Sequence, residues 1–262
     1  MTCPFFHRRL FAAFMAIAAS ALAPKPAAAT DVRVFSSGAP AEIAQGLTRA
    51  FTEATGHRLL ITSGTVGSLQ QRLLGSESAD VVVLPAPTIE TLEKAHKLQA
   101  ASRVSLARVG IGVAVRQGAP LPDVSTVEAL RGALLAARSI AHPDPRGGGF
   151  TGAHIGRMIE RMGIAEAVKP KVKLMFAIGG GVAAVANGDV EIGLFNISEI
   201  LPVPGAVLAG ALPAELQSYI TFAGALHIDS AAPDAAAAYL KMLASAREAW
   251  RAGGFEPLDA AR

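Results

Sequence analysis

Residues 32–47 read VRVFSSGAPAEIAQGL, an apolar and β-branched run that ends in a Ser/Gly turn and continues directly into an amphipathic pattern. The same order recurs at 59–74 (LLITSGTVGSLQQRLL), and a third apolar run follows at 79–84 (ADVVVL). Strands that alternate with helices in this way predict a parallel sheet with helices packed on both faces. The chain is therefore expected to open with a doubly wound α/β unit.

The turns between these strands and helices indicate an anion site. A helix N-terminus presents free N–H groups and a partial positive charge, and helices that follow parallel strands begin at one edge of the sheet. A third turn of this kind lies within 139–159 (SIAHPDPRGGGFTGAHIGRMI). Because such turns converge on a cleft, we expect the chain to bind a small anion.

The N-terminal segment has the parts of a secretory signal. A basic start at His7–Arg9 precedes the apolar stretch Leu10–Ala23, and Ala27–Ala29 provides a small-residue cleavage site. The apolar stretch is too short to span a bilayer comfortably. We expect residues 1–29 to be removed, with cleavage after Ala23 as the alternative, and the mature protein to lie in a bacterial periplasm without a membrane span.

Removal of this segment changes the charge of the protein. The chain has 24 basic and 21 acidic residues, and three of the basic ones (Arg8, Arg9 and Lys25) lie in the signal. The mature chain is then formally neutral, which does not favour a nucleic-acid partner. The single cysteine, Cys3, leaves with the same segment, so a disulfide, a thiol nucleophile and a cysteine metal site are excluded from the mature protein.

The rest of the chain predicts a second lobe. Residues 104–115 (VSLARVGIGVAV) form one long β-prone run, and the proline-containing segment 118–126 that follows is interpreted as a crossover. Beyond about Pro202 the chain is expected to return to the first lobe. We therefore expect a two-lobed α/β fold with the ligand cleft between the lobes. Lobe 1 is predicted to comprise 30–115 and 203–262, and lobe 2 to comprise 116–202.

Capping residues indicate several helix boundaries. Ala39–Thr55 is expected to be one amphipathic helix that ends at Gly56. Ser125 and Glu128 have the spacing of a capping box. They predict a helix that begins after Ser125 and extends to about residue 137.

Four segments of the mature chain match a known pattern: 36–56 (SSGAPAEIAQGLTRAFTEATG), 63–84 (SGTVGSLQQRLLGSESADVVVL), 184–200 (AVANGDVEIGLFNISEI) and 253–255 (GGF). They resemble the periplasmic molybdate-binding protein family, which has the type II solute-binding fold. The resemblance covers nearly all of the mature chain. It implies a lobed receptor whose small oxyanion ligand is held by hydroxyls and backbone amides, without charged side chains.

The first two ligand loops of that family match this sequence. Ser36 or Ser37 fits the serine of the first loop, and Ser63 fits the serine of the second. The alternative for these residues is ordinary helix capping, because serine and threonine are common N-cap residues. The candidate ligand contacts in these loops are Ser36, Ser37, Gly38, Ser63, Gly64 and Thr65.

The loops of the second lobe depart from the family pattern. Molybdate binders tend to carry a Pro-x-Gly-x-Tyr-like turn where this chain has RGGGFTG (146–152), and a ligand tyrosine where it has GLFN (193–196). Phe195 cannot donate a hydrogen bond, so a tetrahedral oxyanion would lose a partner there. The residues that stand in or beside the first of these loops are instead ionisable: His142, Asp144, Arg146 and His154.

The chemistry of these side chains suits a carboxylate ligand and a proton transfer. Arg146 can hold a carboxylate bidentately. His154 or His142 can carry a proton near neutral pH, and Asp144 is a further candidate base. The alternatives are a solvated charge for Arg146 and structural roles for the histidines and Asp144. The other candidate contacts in this lobe are Gly148, Gly149, Thr151, Gly179 and Asn196.

Three functions stay open at the level of the sequence. The wider family includes aconitate isomerase, which interconverts cis- and trans-aconitate, and the altered loops resemble that branch. This predicts a periplasmic isomerase that acts on a tricarboxylate without a metal or an organic cofactor. The alternative is a substrate-binding receptor for molybdate, tungstate or another small anion, with an ABC permease as its partner. A third is a binding module for a di- or tricarboxylate without turnover; a monomer is expected in each case.

Overall fold

The computed structural model describes residues 29–147, 150–176 and 180–259, and two β-sheets organise this part of the chain. The strands are β1 (Asp31–Ser37), β2 (Arg58–Gly64), β3 (Val81–Pro85), β4 (Val104–Val109), β5 (Ile111–Arg116), β6 (Ile140–Pro143), β7 (Val172–Met175), β8 (Ile192–Asn196), β9 (Ala206–Ala211), β10 (Ile220–Leu226) and β11 (Glu256–Pro257). The first sheet has the order β11-β4-β10-β3-β1-β2, and the second has the order β7-β6-β8-β5-β9.

Helices connect the strands and cover the faces of both sheets. They are α1 (Gly38–Gly46), α2 (Thr48–Thr55), α3 (Val66–Leu74), α4 (Ala86–Lys94), α5 (Val127–Ala136), α6 (Phe150–Arg161), α7 (Ala165–Val168), α8 (Gly180–Asn187), α9 (Ile197–Ile200), α10 (Pro233–Ser245) and α11 (Arg247–Ala252). No helix in the described ranges is long and apolar enough to cross a membrane. The expected signal lies almost entirely in residues 1–28, outside the described part of the chain.

The first sheet has the predicted doubly wound arrangement. β1 pairs in parallel with both β2 and β3. β10 pairs antiparallel with β3 on one side and with β4 on the other, which extends the sheet beyond β3. Alternate residues of β3 point to opposite faces: Val81 and Val83 pack in the cluster formed with α10 and α11, whereas Val82 and Leu84 pack with α3 and α4. The continuous apolar run of this strand is explained by burial on both sides.

The second sheet repeats the plan on a smaller scale. β6 pairs in parallel with β7 and β8, and β5 joins β8 and β9 by antiparallel pairing. One face is covered by α5 and α6, through residues such as Leu130 and Ile155, and the other by α8, through Val182 and Val185. The predicted α/β class with helices on both faces of its sheets is therefore confirmed.

The chain passes between the sheets at two places that the sequence analysis did not identify. The run 104–115 is two strands, because β4 belongs to the first sheet and β5 to the second. Gly110 lies between them, and a Cβ at this position would lie 3.0 Å from the Gln217 side chain. β9 also belongs to the second sheet, so the return crossing falls at 212–219.

Sheet membership therefore differs from the expected lobe boundaries. Residues 111–115 and 206–211, which were assigned to lobe 1, pair within the second sheet. The prolines in 118–126 suggested a crossover because proline interrupts regular structure. The chain instead passes from the first sheet to the second at Gly110, between the consecutive strands β4 and β5. A lobe division at Gly110 and 212–219 is our proposal.

Two predicted helix boundaries are corrected by the structure. The expected helix Ala39–Thr55 is divided into α1 and α2 at Leu47, whose N–H bonds to the Ala44 carbonyl oxygen. α5 is capped by Thr126, whose hydroxyl accepts from the N–H of Ala129 at 3.1 Å.

Ser125 does not cap α5 as predicted, because its hydroxyl and its N–H both donate to the Asp123 carboxylate. Asp123 thereby forms the local turn in front of the helix. The cap moves one residue towards the C-terminus, and the Ser125–Glu128 capping box does not form.

Candidate functional site

The carboxyl ends of β1 and β2 bring the two predicted serine turns together. In the parallel register Ser36 lies opposite Ser63, and Ser37 lies opposite Gly64. Each strand leads into a helix that starts within two residues, α1 at Gly38 and α3 at Val66. The free N–H groups of two helices therefore lie at the same edge of the first sheet.

The hydroxyls of Ser36 and Ser37 are buried, and no described residue forms a hydrogen bond with either. Ser36 is 0 % exposed and Ser37 is 3 % exposed, and neither Oγ makes a hydrogen bond within the described part of the chain. Ser37 is the N-cap of α1, yet its side chain does not cap the helix. Because a buried hydroxyl without a partner costs about 1–3 kcal/mol, these two groups are suited to receive a ligand.

The second turn is organised differently. Ser63 and Thr65 are exposed, and the Thr65 hydroxyl accepts a hydrogen bond from the Ser68 N–H at 3.2 Å. The capping interpretation therefore applies to Thr65. Ser63 lies beside the buried pair and offers an accessible hydroxyl.

A chain of side-chain hydrogen bonds forms the corresponding edge of the second sheet. The Thr151 hydroxyl, in the first turn of α6, donates to Oδ1 of Asn196 at 2.9 Å. Asn196, the last residue of β8, donates through Nδ2 to Oε1 of Glu199 at 2.7 Å. Thr151 is 5 % exposed and Glu199 is half-buried. The structure thus joins two predicted site residues and adds a carboxyl group.

Glu199 was not singled out by the sequence, although it lies in the segment 184–200 that carries the family resemblance. Burial raises the pKa of Glu199, while the hydrogen bond from Asn196 acts in the opposite direction. No salt bridge involves Glu199 within the described residues. A single glutamate after a buried strand carries no sequence signal for such an environment, which explains the omission.

Asp144 and Arg146 form a local ion pair. The Asp144 side chain is fully buried, and it accepts hydrogen bonds from the Arg146 backbone N–H at 2.7 Å and from Nη2 at 2.7 Å. The Arg146 side chain is 73 % exposed, and its guanidinium carbon lies 5.3 Å from the centre of the Phe176 ring. Hydrogen bonding to Arg146 lowers the pKa of Asp144. The pair therefore favours an ionised carboxylate that orients the arginine, rather than a free base.

His142 is buried in β6, with 4 % exposure. Its Nδ1 lies 2.9 Å from the Pro143 carbonyl oxygen, which requires a proton on that nitrogen. Burial lowers the pKa of His142, although this hydrogen bond and the nearby Asp144 act in the opposite direction. The arrangement favours a neutral imidazole.

His154 lies on α6, and its Nε2 is 2.8 Å from the Leu216 carbonyl oxygen. It shares a surface groove with Arg157, Glu160 and Arg161. One ring nitrogen is therefore occupied by the return segment between the sheets. Gly148, Gly149 and Gly179 lie outside the described residues. No group of three or more His, Cys, Asp or Glu side chains in the described ranges could hold a metal ion.

The helices that follow β1 and β8 line a common cavity. Ala39 of α1 and Ser198 of α9 line one cavity of about 210 Å³, together with Gly253 and Phe255 of the C-terminal segment. Ser37 and Asn196 are the N-cap residues of these two helices. The ends of β1 and β8, one from each sheet, therefore approach each other near this cavity.

The fold is that of a two-sheet solute-binding protein. A family model described as bacterial extracellular solute-binding protein matches residues 32–256, and the chain belongs to this family. A curated relative, aconitate isomerase from Pseudomonas sp, is 32% identical over 258 residues, which cover 94% of this chain and 97% of the relative.

Solved structures support the same fold. A substrate-binding domain from Clostridium difficile that is assigned to a molybdenum ABC transporter has a TM-score of 0.75 at 15% identity, covering 88% of this chain and 100% of that domain. The periplasmic molybdate-binding protein of Azotobacter vinelandii has a TM-score of 0.67 at 17% identity, covering 87% of this chain and 100% of that protein. The expected resemblance to the molybdate-binding fold is thereby confirmed.

Proposed function

We propose that this protein binds a small polycarboxylate between its two sheets and interconverts cis- and trans-aconitate. The observation that carries the binding proposal is that the hydroxyls of Ser36 and Ser37 are buried and have no hydrogen-bond partner among the described residues. The curated relative suggests the reaction, because it is similar over nearly its whole length. The proposed location is the periplasm, after removal of the N-terminal signal.

Three carboxylates need hydrogen-bond donors from more than one direction. We assign one carboxylate to the first sheet, where Ser36, Ser37 and Ser63 offer hydroxyls beside the N-termini of α1 and α3. Arg146 and the backbone N–H of Thr151, in the first turn of α6, hold another from the second sheet. The remaining proposed contacts are Gly38, Gly64, Thr65, Gly148, Gly149, Gly179 and Asn196.

The proposed reaction moves a double bond within the substrate. A base removes a proton from the methylene carbon beside a carboxylate, and the C–H electron pair forms a new double bond to the central carbon. The electrons of the original double bond pass to the distal carbon and its carboxylate, and a proton is then added at that carbon. Donors that are already oriented stabilise the enolate-like charge in between.

An absorbance assay with the purified mature protein tests this proposal. The protein is incubated separately with cis- and trans-aconitate, and the product is identified by chromatography. We expect each isomer to approach the same equilibrium mixture. If neither isomer is converted at any enzyme concentration, the isomerase proposal is rejected.

The second candidate is a receptor that delivers a small anion to an ABC permease. The family and the molybdate-binding structural neighbours favour this alternative. A thermal-shift titration with molybdate, tungstate, trans-aconitate and citrate separates the two. Stabilisation by molybdate or tungstate alone supports the receptor, and stabilisation by tricarboxylates without conversion supports a binding module.

A further inference from the structure

The Thr151–Asn196–Glu199 chain has no role in ordinary secondary-structure capping. Asn196 is the N-cap of α9, but its side chain makes no capping hydrogen bond. Its amide instead accepts from Thr151 at 2.9 Å and donates to Glu199 at 2.7 Å. Both ends of the Asn196 amide are thereby used to hold one carboxyl group in a defined orientation.

The geometry points to Glu199 as the group that removes and returns the substrate proton. This inference rests on the proposed aconitate isomerisation and names its acid–base residue. The Glu199 carboxyl lies beside the carboxyl end of β8, at the edge of the second sheet. Thr151, in the first turn of α6, lies at the same edge and is linked to Glu199 through Asn196. Oε1 accepts the hydrogen bond from Asn196, and Oε2 is the oxygen to which we assign the proton transfer.

The other candidate bases are less suited to this role. Asp144 is fully buried beneath the Arg146 guanidinium, which stabilises its ionised form. His142 donates to a backbone carbonyl within its own strand, and His154 uses Nε2 on Leu216. Glu199 instead combines a neutral hydrogen-bond donor with a half-buried position. A carboxyl group whose pKa is raised is a better base, and a general base works best when its pKa approaches the operating pH.

Charged neighbours do not account for the environment of Glu199. α9 packs against β5, β8 and β9, and neither β8 nor β9 contains a titratable side chain. The charged residue of β5 is Arg116, at the end of the strand that pairs with Ala206. Asn196 pairs with Ile111 at the other end of β5, so Arg116 and Asn196 lie at opposite ends of this strand. Glu42 of α1 and Ser198 of α9 line the same cavity.

The proton transfer involves only the substrate and the Glu199 side chain. The Glu199 carboxylate takes a proton from the methylene carbon, and the C–H pair becomes the new double bond. The original double bond shifts its electron pair to the distal carbon, where the negative charge is delocalised into the adjacent carboxylate. The Glu199 carboxylic acid then returns its proton to that distal carbon, so no oxidant, reductant or further reactant is needed.

The test compares Glu199→Gln with Glu199→Asp and with Glu166→Gln. Glu166 is an exposed residue of α7 outside the proposed site and is the matched control. We expect Glu199→Gln to lower kcat by about 10²–10⁴-fold, the contribution typical of a general acid–base group. Its affinity for trans-aconitate in a thermal-shift titration should change by less than about tenfold, and Glu166→Gln should retain full activity.

Two further readouts separate a catalytic role from a structural one. With substrate deuterated at its methylene carbon, the wild-type product should carry deuterium at the distal carbon, because Glu199 returns the hydrogen that it removed, and Glu199→Gln should form this product about 10²–10⁴-fold more slowly. The acidic limb of the kcat/KM profile should be present in the wild type and displaced in Glu199→Asp. If Glu199→Gln does not fold, as shown by the loss of its melting transition, the pH profile of Glu199→Asp tests the proposal instead. A displaced acidic limb supports the catalytic role of Glu199.

The role of Glu199 would be overturned if the wild type converts aconitate and the kcat of Glu199→Gln lies within threefold of the wild-type value. The proposed function would then remain intact. An unchanged acidic limb in Glu199→Asp would also overturn this role and leave the proposed function intact. A wild-type protein that converts neither aconitate isomer overturns both proposals together.

Discussion

The hydroxyls of Ser36 and Ser37 are the most informative atoms at the scale of single residues. Serine before a helix is ordinarily explained by capping, and Thr65 shows that behaviour towards Ser68. Ser37 has the position of a cap but not the hydrogen bond. A side chain that contributes nothing to its own helix, and is almost fully buried, is a stronger indication of a binding site than the sequence pattern alone.

Ser37→Ala and Thr65→Ala are expected to have opposite effects on stability. The Ser37 variant should unfold with an unchanged or larger free energy, because it removes a buried hydroxyl that has no partner in the described ranges. The Thr65 variant should lose about 0.5–2 kcal/mol, because a helix cap is removed. Urea unfolding of the ligand-free protein measures both.

The affinity of the Ser37 variant for trans-aconitate is the second measurement. Ser37→Ala should weaken the binding of trans-aconitate by about 1–3 kcal/mol in calorimetric titration. A Ser37 variant that is destabilised as much as Thr65→Ala, and binds normally, would show that this hydroxyl supports the fold instead.

Glu199→Gln is expected to stabilise the ligand-free protein at neutral pH. Because burial raises the pKa of Glu199, the folded state binds this proton more tightly than the unfolded state. The contribution of Glu199 to stability is therefore greatest below the ordinary glutamate range and decreases as pH rises through its raised pKa. The Gln variant lacks this dependence.

Melting temperatures measured from pH 4 to pH 8 test this sign. The difference between Glu199→Gln and the wild type should grow with pH, whereas Glu166→Gln should follow the wild type. A difference that shrinks as pH rises would mean that the folded state favours the Glu199 carboxylate.

At the scale of elements, the N-terminus of α5 shows which of two neighbouring hydroxyls becomes the helix cap. The segment DVST offers two hydroxyls next to each other, and the sequence favoured Ser125 because Glu128 follows at capping-box spacing. The Asp123 carboxylate accepts from both the N–H and the hydroxyl of Ser125. This turn directs the Ser125 side chain towards Asp123, and the Thr126 hydroxyl accepts from the Ala129 N–H.

Alanine substitutions distinguish the two hydroxyls of this segment. Thr126→Ala should cost about 0.5–2 kcal/mol of stability through loss of the cap. Ser125→Ala should remain within about 0.5 kcal/mol of the wild type, because the side chain is exposed and the Asp123 turn retains its backbone hydrogen bond. Denaturant midpoints compare the two variants, and equal losses would contradict the assigned cap.

At the scale of the whole molecule, Gln217 joins the two crossings between the sheets. Its Oε1 accepts from the Ile111 N–H at 2.8 Å and from the Ser218 N–H at 2.9 Å, and its Nε2 donates to the Ile111 carbonyl oxygen at 2.9 Å. Gly110, directly before Ile111, lacks a side chain that would collide with this amide. The return segment is therefore held against the outgoing one where the two sheets meet.

Gln217→Ala is expected to lower the free energy of unfolding by about 1–3 kcal/mol, because the variant leaves backbone groups of the crossing without partners. Ser218→Ala is the control, since only its backbone N–H is used here. Urea unfolding monitored by far-UV circular dichroism measures the loss. Equal stability of the two variants would mean that Gln217 does not hold the crossings together.

Much of the fold was predictable from local sequence. Hydrophobic periodicity and turn residues predicted that the strands β1, β2 and β3 follow one another along the chain, with helices between them. These signals act over a few residues, since strand and helix periods are properties of neighbouring side chains. The pairing of the two serine turns followed because consecutive parallel strands end at one edge of a sheet.

The sequence by itself determined the α/β class, the strand–turn–helix order and the position of the first anion-binding turns. Tertiary structure alone decided that β5 and β9 join the second sheet, that the buried Ser37 hydroxyl has no partner in the part of the chain that the structure describes, and that Asn196 links Thr151 to Glu199. The physical reason is range: a turn or helix start depends on neighbouring residues, whereas sheet membership and burial depend on contacts between distant segments.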